Sequence, residues 1–408
     1  MNKRIRTIVS VVSALLMALL MAVPGFAANR TLYASGAGTA SNPWHIRTAQ
    51  QLNNVRKNLS GNFVLDNDID LKGKTFEPIG TFTPGKKDDE VANPATAFTG
   101  TFDGRGHKIK NVCIQKPSTQ KGVGLFGAAA GEAVIENLDV QNANVTGGFG
   151  TGAVAGYISE DTLLSNVRLI GNNTITAPTM VGGISGALNN KLIKNCTAKA
   201  NVVLTGSNDT FAQCAGVLAG GSEGCSIENC HALGGSVKAT GKLVNNTGVN
   251  GLGGLAGCAM SCDYVKRCSA KDITITASDK CMMIGGLLGF SGNAAGLQDS
   301  TKYTLVKDCV VDNVKINAPQ SAERIGGIVG SGFYVSQYKQ YYAAPIPVVV
   351  ENCFATAKVS GGKYVGGIMG YKGKGSDVRN CAAIVTVGNS AAPLVGADTW
   401  SVPVERLG

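Results

Sequence analysis

A short apolar pattern returns along the chain at intervals of 29 to 41 residues. It consists of an aliphatic residue, two glycines, an aliphatic residue, any residue and a glycine, as in "IGGLLG" (284–289) and "IGGIVG" (325–330). The last glycine of this glycine patch, or of a degenerate copy, stands at Gly127, Gly156, Gly186, Gly220, Gly257, Gly289, Gly330 and Gly370. A period of this length indicates a repeat architecture, in which each unit packs against its neighbours.

A second motif follows each glycine patch, about ten residues later or further where an insert intervenes. It reads aliphatic, any residue, Asn, then Cys or an aliphatic residue, as in "IENC" (227–230) and "VRNC" (378–381). A third apolar stretch comes next, for example "AKVS" (357–360). The many glycine and β-branched residues disfavour helices. The pattern therefore predicts three short strands per unit, with no helix between them.

One such unit cannot fold alone. Ordering a residue costs about 1–2 kcal/mol, whereas burying a large aliphatic side chain returns only about 1.5–3 kcal/mol. Stacked units gain ladder hydrogen bonds and a continuous apolar layer, which predicts a parallel β-helix of about nine coils. The glycines relieve crowding at a bend or allow a positive φ. The motif Asn belongs at a turn, where it tolerates the left-handed region and can stack in a ladder.

The two ends of the repeat region differ in sequence. Residues 48–59, "TAQQLNNVRKNL", have Leu52, Val55 and Leu59 at helical spacing behind a Thr48 N-cap, and predict a short helix that covers the first coil. At the other end the chain begins another coil without a helical cap. Either the tail folds over this end through Trp400, or a partner segment covers it. The predicted domains are a cap over 28–100, repeats over 101–396 and a tail over 397–408.

Residues 1–27 have the layout of a secretory signal peptide. A basic start and an apolar run lead to small residues at Gly25 and Ala27. Its removal takes away Lys3, Arg4 and Arg6 and no acidic residue, so the formal charge falls from +10 to +7. We expect an exported protein with no membrane segment after cleavage. The remaining charges are scattered, which argues against a nucleic-acid partner.

The glycine patch together with "I-x-N-C" strongly resembles the GLUG repeats of exported bacterial proteins, over roughly residues 40–396. The stretch "NPWHIRTAQQLNN" (42–54) resembles the segment that precedes such repeats. The resemblance implies a right-handed parallel β-helix at the bacterial surface or in its surroundings. It implies no single activity, since such repeats accompany adhesin-like proteins and some IgA-cleaving metallopeptidases. The chain has no "HExxH", so we expect neither their zinc site nor another metal or cofactor.

The stretch "FDGRGHKI" (102–109) brings Asp103, Arg105 and His107 close together. Alternate residues of a strand share a face, so these three could form a catalytic group on an outer wall. The competing interpretation is a tight Asp-Gly turn. We favour the turn, because a glycosidase needs a second carboxylate and none is paired with Asp103. "DNDIDL" (66–71) lacks the glycine and distal glutamate of a calcium loop, and predicts a strand with one polar face.

Twelve cysteines in an exported chain raise the question of disulfides. Six of them share one repeat position and should stack inward as free thiols, since parallel Cβ vectors would strain a bond between them: Cys196, Cys230, Cys268, Cys309, Cys353 and Cys381. Cys225 and Cys262 each lie five residues beyond their glycine patch, in neighbouring coils. This pair is the better disulfide candidate.

An aromatic insert separates "IGGIVG" from the next motif, and it holds Phe333, Tyr334, Tyr338, Tyr341 and Tyr342. Stacking in register would place Tyr303 and Tyr371 at the same corner. Tyrosine offers a flat apolar face and a hydroxyl, which suits a sugar ring or a protein partner. The alternative is that the insert packs on its own coil.

These features favour a secreted or cell-surface binding module, adhesin-like, that recognises a glycan or a surface protein. One alternative is a polysaccharide lyase or glycoside hydrolase of the β-helix type, acting through outward residues such as Asp103 and Arg105. Another is a structural spacer in a larger surface assembly. An enzyme of this kind needs outward acids and bases grouped over successive coils, and the sequence shows no such group. Binding is therefore preferred over catalysis.

Overall fold

The structure is a computed structural model that describes residues 32–83, 92–206, 212–241, 250–279, 281–292, 303–332 and 347–398. These residues form an all-β fold with one short α-helix. The predicted signal peptide, the five aromatic residues of the insert and Trp400 lie outside the described residues.

The first part of the chain contains the helix and nine strands. The elements are β1 (Trp44–Ile46), α1 (Ala49–Asn54) continued by a 3-10 turn (Val55–Lys57), β2 (Asn62–Leu65), β3 (Ile69–Asp70), β4 (Thr101–Asp103), β5 (Lys108–Lys110), β6 (Cys113–Gln115), β7 (Phe126–Ala129), β8 (Val134–Gln141) and β9 (Asn144–Thr146).

The central part continues with ten strands and few breaks. These are β10 (Ala155–Ile170), β11 (Thr174–Ala177), β12 (Val181–Gly182), β13 (Ser185–Lys194), β14 (Thr197–Leu204), β15 (Gln213–Gly216), β16 (Ala219–Glu223), β17 (Ser226–Glu228), β18 (His231–Ala239) and β19 (Asn250–Gly253).

The last part repeats the same order of elements. It comprises β20 (Ala256–Met260), β21 (Tyr264–Lys266), β22 (Ser269–Thr276), β23 (Met283–Gly285), β24 (Leu288–Gly292), β25 (Thr304–Lys307), β26 (Val310–Asn317), β27 (Glu323–Gly326), β28 (Val329–Ser331), β29 (Val348–Glu351), β30 (Phe354–Ser360), β31 (Lys363–Gly366), β32 (Met369–Lys372), β33 (Asp377–Arg379), β34 (Ala382–Val387), β35 (Ser390–Ala391) and β36 (Val395–Asp398).

Strands at matching places in successive units pair in parallel. One series runs β18–β22–β26–β30–β34, and a second runs β20–β24–β28–β32–β36. The antiparallel pair β34–β35 is a local hairpin. Parallel pairing from unit to unit is the arrangement of a β-helix-like fold.

Each regular unit has four strands, so the predicted number of three was wrong. The glycine patch does not form one strand, because the chain bends at its second glycine. The half before the bend joins a separate six-stranded sheet, made of β12, β15, β19, β23, β27 and β31. The half after the bend joins the main sheet.

The patch glycines are required by close backbone approach. A Cβ on Gly286 would lie 2.1 Å from the carbonyl oxygen of Gly327, and one on Gly327 would lie 2.0 Å from that of Gly367. These glycines do not have positive φ angles. The sequence suggested either crowding at a bend or a positive φ as the reason for these glycines, and crowding is the one that applies.

Positive φ angles occur instead at the motif Asn, as predicted. Asn137, Asn166, Asn195 and Asn229 have φ between 49° and 56°. Their side chains form parts of a ladder, since Asn166 Nδ2 donates to Asn137 Oδ1 at 2.7 Å and Asn229 Nδ2 donates to Asn195 Oδ1 at 2.8 Å. These pairs stabilise the turn in the units that carry the Asn, whereas Arg267 and Asp308 occupy its place in the next two units.

The helix α1 lies at the N-terminal end and begins as the sequence predicts. Thr48 Oγ1 accepts a hydrogen bond from the Gln51 amide at 3.2 Å. Leu52 and Val55 are fully buried in the main core. The core beside them is aromatic, with the rings of Phe98 and Phe126 5.0 Å apart between centroids.

Candidate functional site

Asp103 is the last residue of β4, and Arg105 and His107 lie in the turn that leads to β5. Arg105 has φ 49° and Gly106 has φ 77°. Asp103 Oδ1 accepts the Arg105 amide at 2.8 Å and the Asn137 side-chain amide at 3.0 Å. This carboxylate therefore holds the turn, which supports the turn interpretation over a catalytic role.

The acids that face Arg105 and His107 come from "DNDIDL". Asp66 Oδ1 lies 2.7 Å from His45 Nδ1 and 3.7 Å from an Arg105 guanidinium nitrogen, and Asp66 Oδ2 accepts from Arg47 Nε at 2.7 Å. Partial burial acts to raise the pKa of the Asp66 carboxyl, but hydrogen bonds and charges from His45 and Arg47 outweigh it and lower that pKa.

The carboxylates of the next two acids also accept hydrogen bonds. Asp68 Oδ1 accepts the Lys108 amide at 3.0 Å and lies 3.6 Å from His107 Nδ1. Asp70 Oδ1 accepts from the Asn111 side chain at 2.7 Å and from the Lys72 amide at 2.8 Å. The Lys108 amide lowers the pKa of the Asp68 carboxyl, and the Asn111 amide lowers that of Asp70.

Beside this cluster lies a polar groove of about 510 Å³, lined by Arg47, Gln50, Asn53, Asp68, Asp70 and Lys74 among others. Its carboxyl groups have lowered pKa values, whereas a general acid in glycoside cleavage needs a raised one. The geometry therefore describes an ion-paired surface and not an acid–base pair. Within the described ranges, no group of three or more His, Cys, Asp and Glu residues could hold a metal ion.

The predicted disulfide between Cys225 and Cys262 is not formed, and all twelve cysteines are free thiols. The Cys262 thiol contacts Ser222 Oγ at 3.2 Å and donates to the Met260 carbonyl at 3.3 Å, whereas the Cys225 thiol donates to the Ser226 carbonyl at 3.4 Å. Each sulfur thus has its own hydrogen-bond partner, and the disulfide prediction was wrong.

The column of six free thiols is confirmed. Five are buried and Cys381 is half-buried. Each of the five later thiols donates to a backbone carbonyl of the preceding unit, for example Cys230 to Ile193 at 3.8 Å and Cys309 to Val265 at 3.5 Å. The column is part of the core and offers no surface chemistry.

The tyrosines predicted at the aromatic corner have different environments. Tyr303 is 49% exposed. Its neighbours Lys307 and Arg379 are paired with Glu351 at 2.6 Å and with Asp377 at 2.7 Å. Tyr371 is fully buried, with its ring 6.4 Å from that of Tyr364 between centroids, so its assignment to a ligand surface is corrected. Tyr371 points into a packed cluster with Ala397.

Exposed apolar side chains identify a surface that the sequence analysis missed. In the described residues, the exposed large hydrophobic side chains are Leu233, Tyr303, Val310, Phe354, Ile384 and Leu394. Val310 and Phe354 are register partners on β26 and β30, and Ile384 lies on the adjacent strand β34. For Val310 and Phe354 the available signal was position: each directly follows the motif Cys, where the residue points outward and is Thr197, His231 or Ser269 in earlier units.

Comparison with known proteins identifies a motif and relatives that share part of this sequence. The model of the Glug family, described as the GLUG motif, matches residues 211–238. These residues include β15 to β17 and most of β18. The chain is 36% identical over 186 residues to Halomucin of Haloquadratum walsbyi, a match that covers 43% of this chain and 2% of that protein.

A second relative is a putative Gly-rich membrane protein of Evansella cellulosilytica, 32% identical over 127 residues, with 29% of this chain and 13% of that protein covered. The chain thus spans a small fraction of the length of these relatives. Among the residues described, no helix is both long and apolar enough to cross a membrane.

Among solved structures, the fold is similar to that of a putative immunoglobulin A1 protease from Bacteroides ovatus. The TM-score is 0.52 at 24% sequence identity, over 70% of this chain and 80% of that one. This likeness concerns the fold alone. With parallel pairing between units, a matching motif at residues 211–238 and this neighbour, the resemblance seen in the sequence is confirmed: the chain carries a GLUG motif and has a β-helix-like fold.

Proposed function

We propose that the chain is a secreted or surface-displayed right-handed parallel β-helix of about nine coils that binds a glycan in an adhesin-like role. One observation carries the proposal. Of the six exposed large hydrophobic side chains in the described residues, five lie between Tyr303 and Leu394. Three of these, Val310, Phe354 and Ile384, lie on the neighbouring strands β26, β30 and β34. A protein that only spaces its neighbours has no need to concentrate exposed apolar groups in one region of the chain.

The chemistry around these side chains suits a sugar. Tyr303 offers an exposed ring, and the nearby Lys307 and Arg379 are paired with Glu351 and Asp377, so ion pairs border the ring. Rings of this kind stack on the apolar face of a sugar, while neighbouring charged groups and hydroxyls can bond to its hydroxyl groups. The insert residues Tyr338, Tyr341 and Tyr342 follow β28 in the sequence, and Tyr303 directly precedes β25, which pairs with β29 on the other side of the insert. We include these tyrosines in the proposed platform.

Binding is favoured over catalysis at the other candidate site. Asp103 is engaged in a turn, and Asp66, Asp68 and Asp70 have lowered pKa values. The Asp66, Asp68 and Asp70 carboxyls therefore remain ionised at neutral pH and cannot donate a proton to a leaving group. A polysaccharide panel incubated with the chain should therefore yield no reducing ends and no unsaturated products, and release of either would contradict the proposal.

The binding test compares exposed apolar side chains in two places. Tyr303→Ser and Phe354→Ser should each lower the affinity for a glycan found on an array by about tenfold or more, equivalent to about 1.4 kcal/mol. Leu233→Ser is the matched control, since Leu233 is as exposed (48%) but lies in a central unit. Equal binding by the wild type and the three variants would refute the glycan-binding surface. Binding only to a protein array would assign the surface to a protein partner.

A further inference from the structure

A second apolar layer runs along the outside of the series β16–β20–β24–β28–β32. One side of it consists of outward residues on these strands, which pair in register: Gly221, Cys258, Phe290, Ser331 and Tyr371. The other side consists of the residue that directly precedes each glycine patch. In successive units this residue is Met180, Cys214, Gly251, Met283, Arg324 and Tyr364.

The preceding residues also stack from unit to unit. Cys214 pairs with Gly251, and Gly251 pairs with Met283. The pairs Ile284–Ile325 and Ile325–Val365 then place Arg324 between Met283 and Tyr364. Met180, Cys214 and Met283 are buried in an apolar cluster. Arg324 therefore occupies a place that is apolar or glycine in the units before it.

Arg324 is buried as deeply as its apolar counterparts, being only 4% exposed. Its guanidinium lies 5.1 Å from the centroid of the Tyr371 ring. Its Nε is buried and has no hydrogen-bond partner. The adjacent carboxylate of Glu323 is 3.7 Å from Lys363 Nζ instead. In the part of the chain that the structure describes, the guanidinium thus has aromatic neighbours but no carboxylate in ion-pair contact.

Such an arrangement is costly unless something compensates it. A buried charge normally has an opposite charge or hydrogen bonds, and a methionine at this place would avoid the cost. Burial indeed lowers the pKa of Arg324, although guanidinium groups stay protonated at neutral pH. The cost is explained when an external anion completes the set of contacts.

We propose that Arg324 is the recognition residue for the carboxylate of an acidic, uronic-acid-containing glycan; this inference rests on the proposed glycan platform. The planar guanidinium matches a carboxylate in two parallel hydrogen bonds. The half-buried Tyr364 stands directly beside Arg324 in the stack, and its ring would border the bound sugar. The carboxylate would enter beside Tyr364 and displace it from part of its contact.

The test uses oligogalacturonate as the acidic probe, a neutral maltooligosaccharide as its uncharged counterpart and dextran sulfate as the sulfated one, at one ionic strength. Arg324→Met is the main variant, since Met180 and Met283 occupy the same place in other units. We expect it to bind oligogalacturonate at least tenfold more weakly, to bind the neutral glycan unchanged, and to melt at the same or a higher temperature. Arg324→Lys, which keeps the charge but not the two parallel bonds, should also bind the acid more weakly.

Unchanged binding of oligogalacturonate by Arg324→Met would overturn the inference, and so would a preference of the wild type for dextran sulfate. A purely structural arginine would show a lower melting temperature on substitution with no change in glycan selectivity. If Arg324→Met does not fold, the wild-type chain decides: oligogalacturonate must raise its melting temperature more than the neutral glycan does, and equal shifts refute the carboxylate site.

The same experiment separates this inference from the proposed function. If Tyr303→Ser loses the neutral glycan while Arg324→Met changes nothing, the platform stands and the carboxylate site falls. If the wild type binds no glycan of any class, both fall together.

Discussion

The N-terminal region (residues 32–149) and the C-terminal region (residues 303–398) share parallel strand pairing but differ in what covers their strands. In the N-terminal region α1 packs on the first strands, the core is rich in aromatic rings, and acids on the surface are paired with bases. In the C-terminal region the core is aliphatic with stacked thiols, and five large apolar side chains are exposed.

This difference indicates a division of roles. Surface acids are paired with bases in both regions, for example Asp66 with Arg47 and Glu351 with Lys307, so exposed apolar groups and not charges distinguish the two. The C-terminal region leaves rings and aliphatic groups in contact with water, at a cost of about 25 cal/mol for each Å² of apolar surface. We infer that the N-terminal region seals the stack and that the C-terminal region carries binding.

The largest expected effect comes from a substitution in the glycine patch. It compares a glycine that contacts the backbone of the following unit with one that does not. In Gly327→Ala the new Cβ would lie 2.0 Å from a backbone oxygen, so we expect a loss of about 3 kcal/mol or more in the free energy of unfolding. In Gly367→Ala the nearest atom is the Ala383 side chain at 2.7 Å, and the loss should be clearly smaller. Urea denaturation measures both, and equal losses would remove the distinction between inner and last units.

The next largest expected difference is in the stability lost when a leucine at either end is replaced by alanine. Leu52 is fully buried under α1, whereas Leu394 is 48% exposed. Leu52→Ala should cost about 2–5 kcal/mol, and Leu394→Ala less than about 0.5 kcal/mol. The measurement is the shift of the thermal midpoint by circular dichroism. A large loss in Leu394→Ala would show that the C-terminal surface is part of the core.

Acid should affect the N-terminal region through Asp66. Because its folded pKa lies below the usual value of about 3.9, the ionised form contributes stability that is fully present above that value and is lost as the pH falls through the folded pKa. Asp66→Asn should therefore be less stable than the wild type at pH 7, and the gap should close below about pH 4. A gap that stays constant with pH would show that the ion pairs contribute nothing.

The smallest expected effect is a difference in the alkylation rate of two thiols, one exposed and one half-buried. Cys113 in the N-terminal region is exposed, and Cys381 in the C-terminal region is half-buried. Burial raises the pKa of the Cys281 thiol to about 12, and thiols of this kind stay protonated and unreactive. Mass spectrometry after brief alkylation of the native chain should find one label, at Cys113, and a slower one at Cys381. Rapid labelling of the remaining ten, which are all buried, would contradict the packing of these thiols in the core.

Much of the fold could be predicted from the repeat. The turn at the motif Asn, the thiol column and the N-cap at Thr48 followed from residue type and spacing, because each depends on local backbone geometry or on in-register stacking. The fourth strand was missed, since no residue pattern shows that the chain bends at Gly286 and not beyond the patch. Tyr371 was assigned to the surface because stacking gives a residue's place along the column and not what covers it.

The candidate sites depended more on tertiary structure. Arg324 and Phe354 are recognisable as exceptions only when their units are aligned, and their meaning depends on the neighbours that the fold supplies. The sequence by itself determined the repeat, its parallel stacking and the inward or outward direction of each column, because these follow from periodicity and alternation. Only the tertiary structure decided which outward side chains are covered and which charges are paired, because both depend on contacts between residues far apart in the chain.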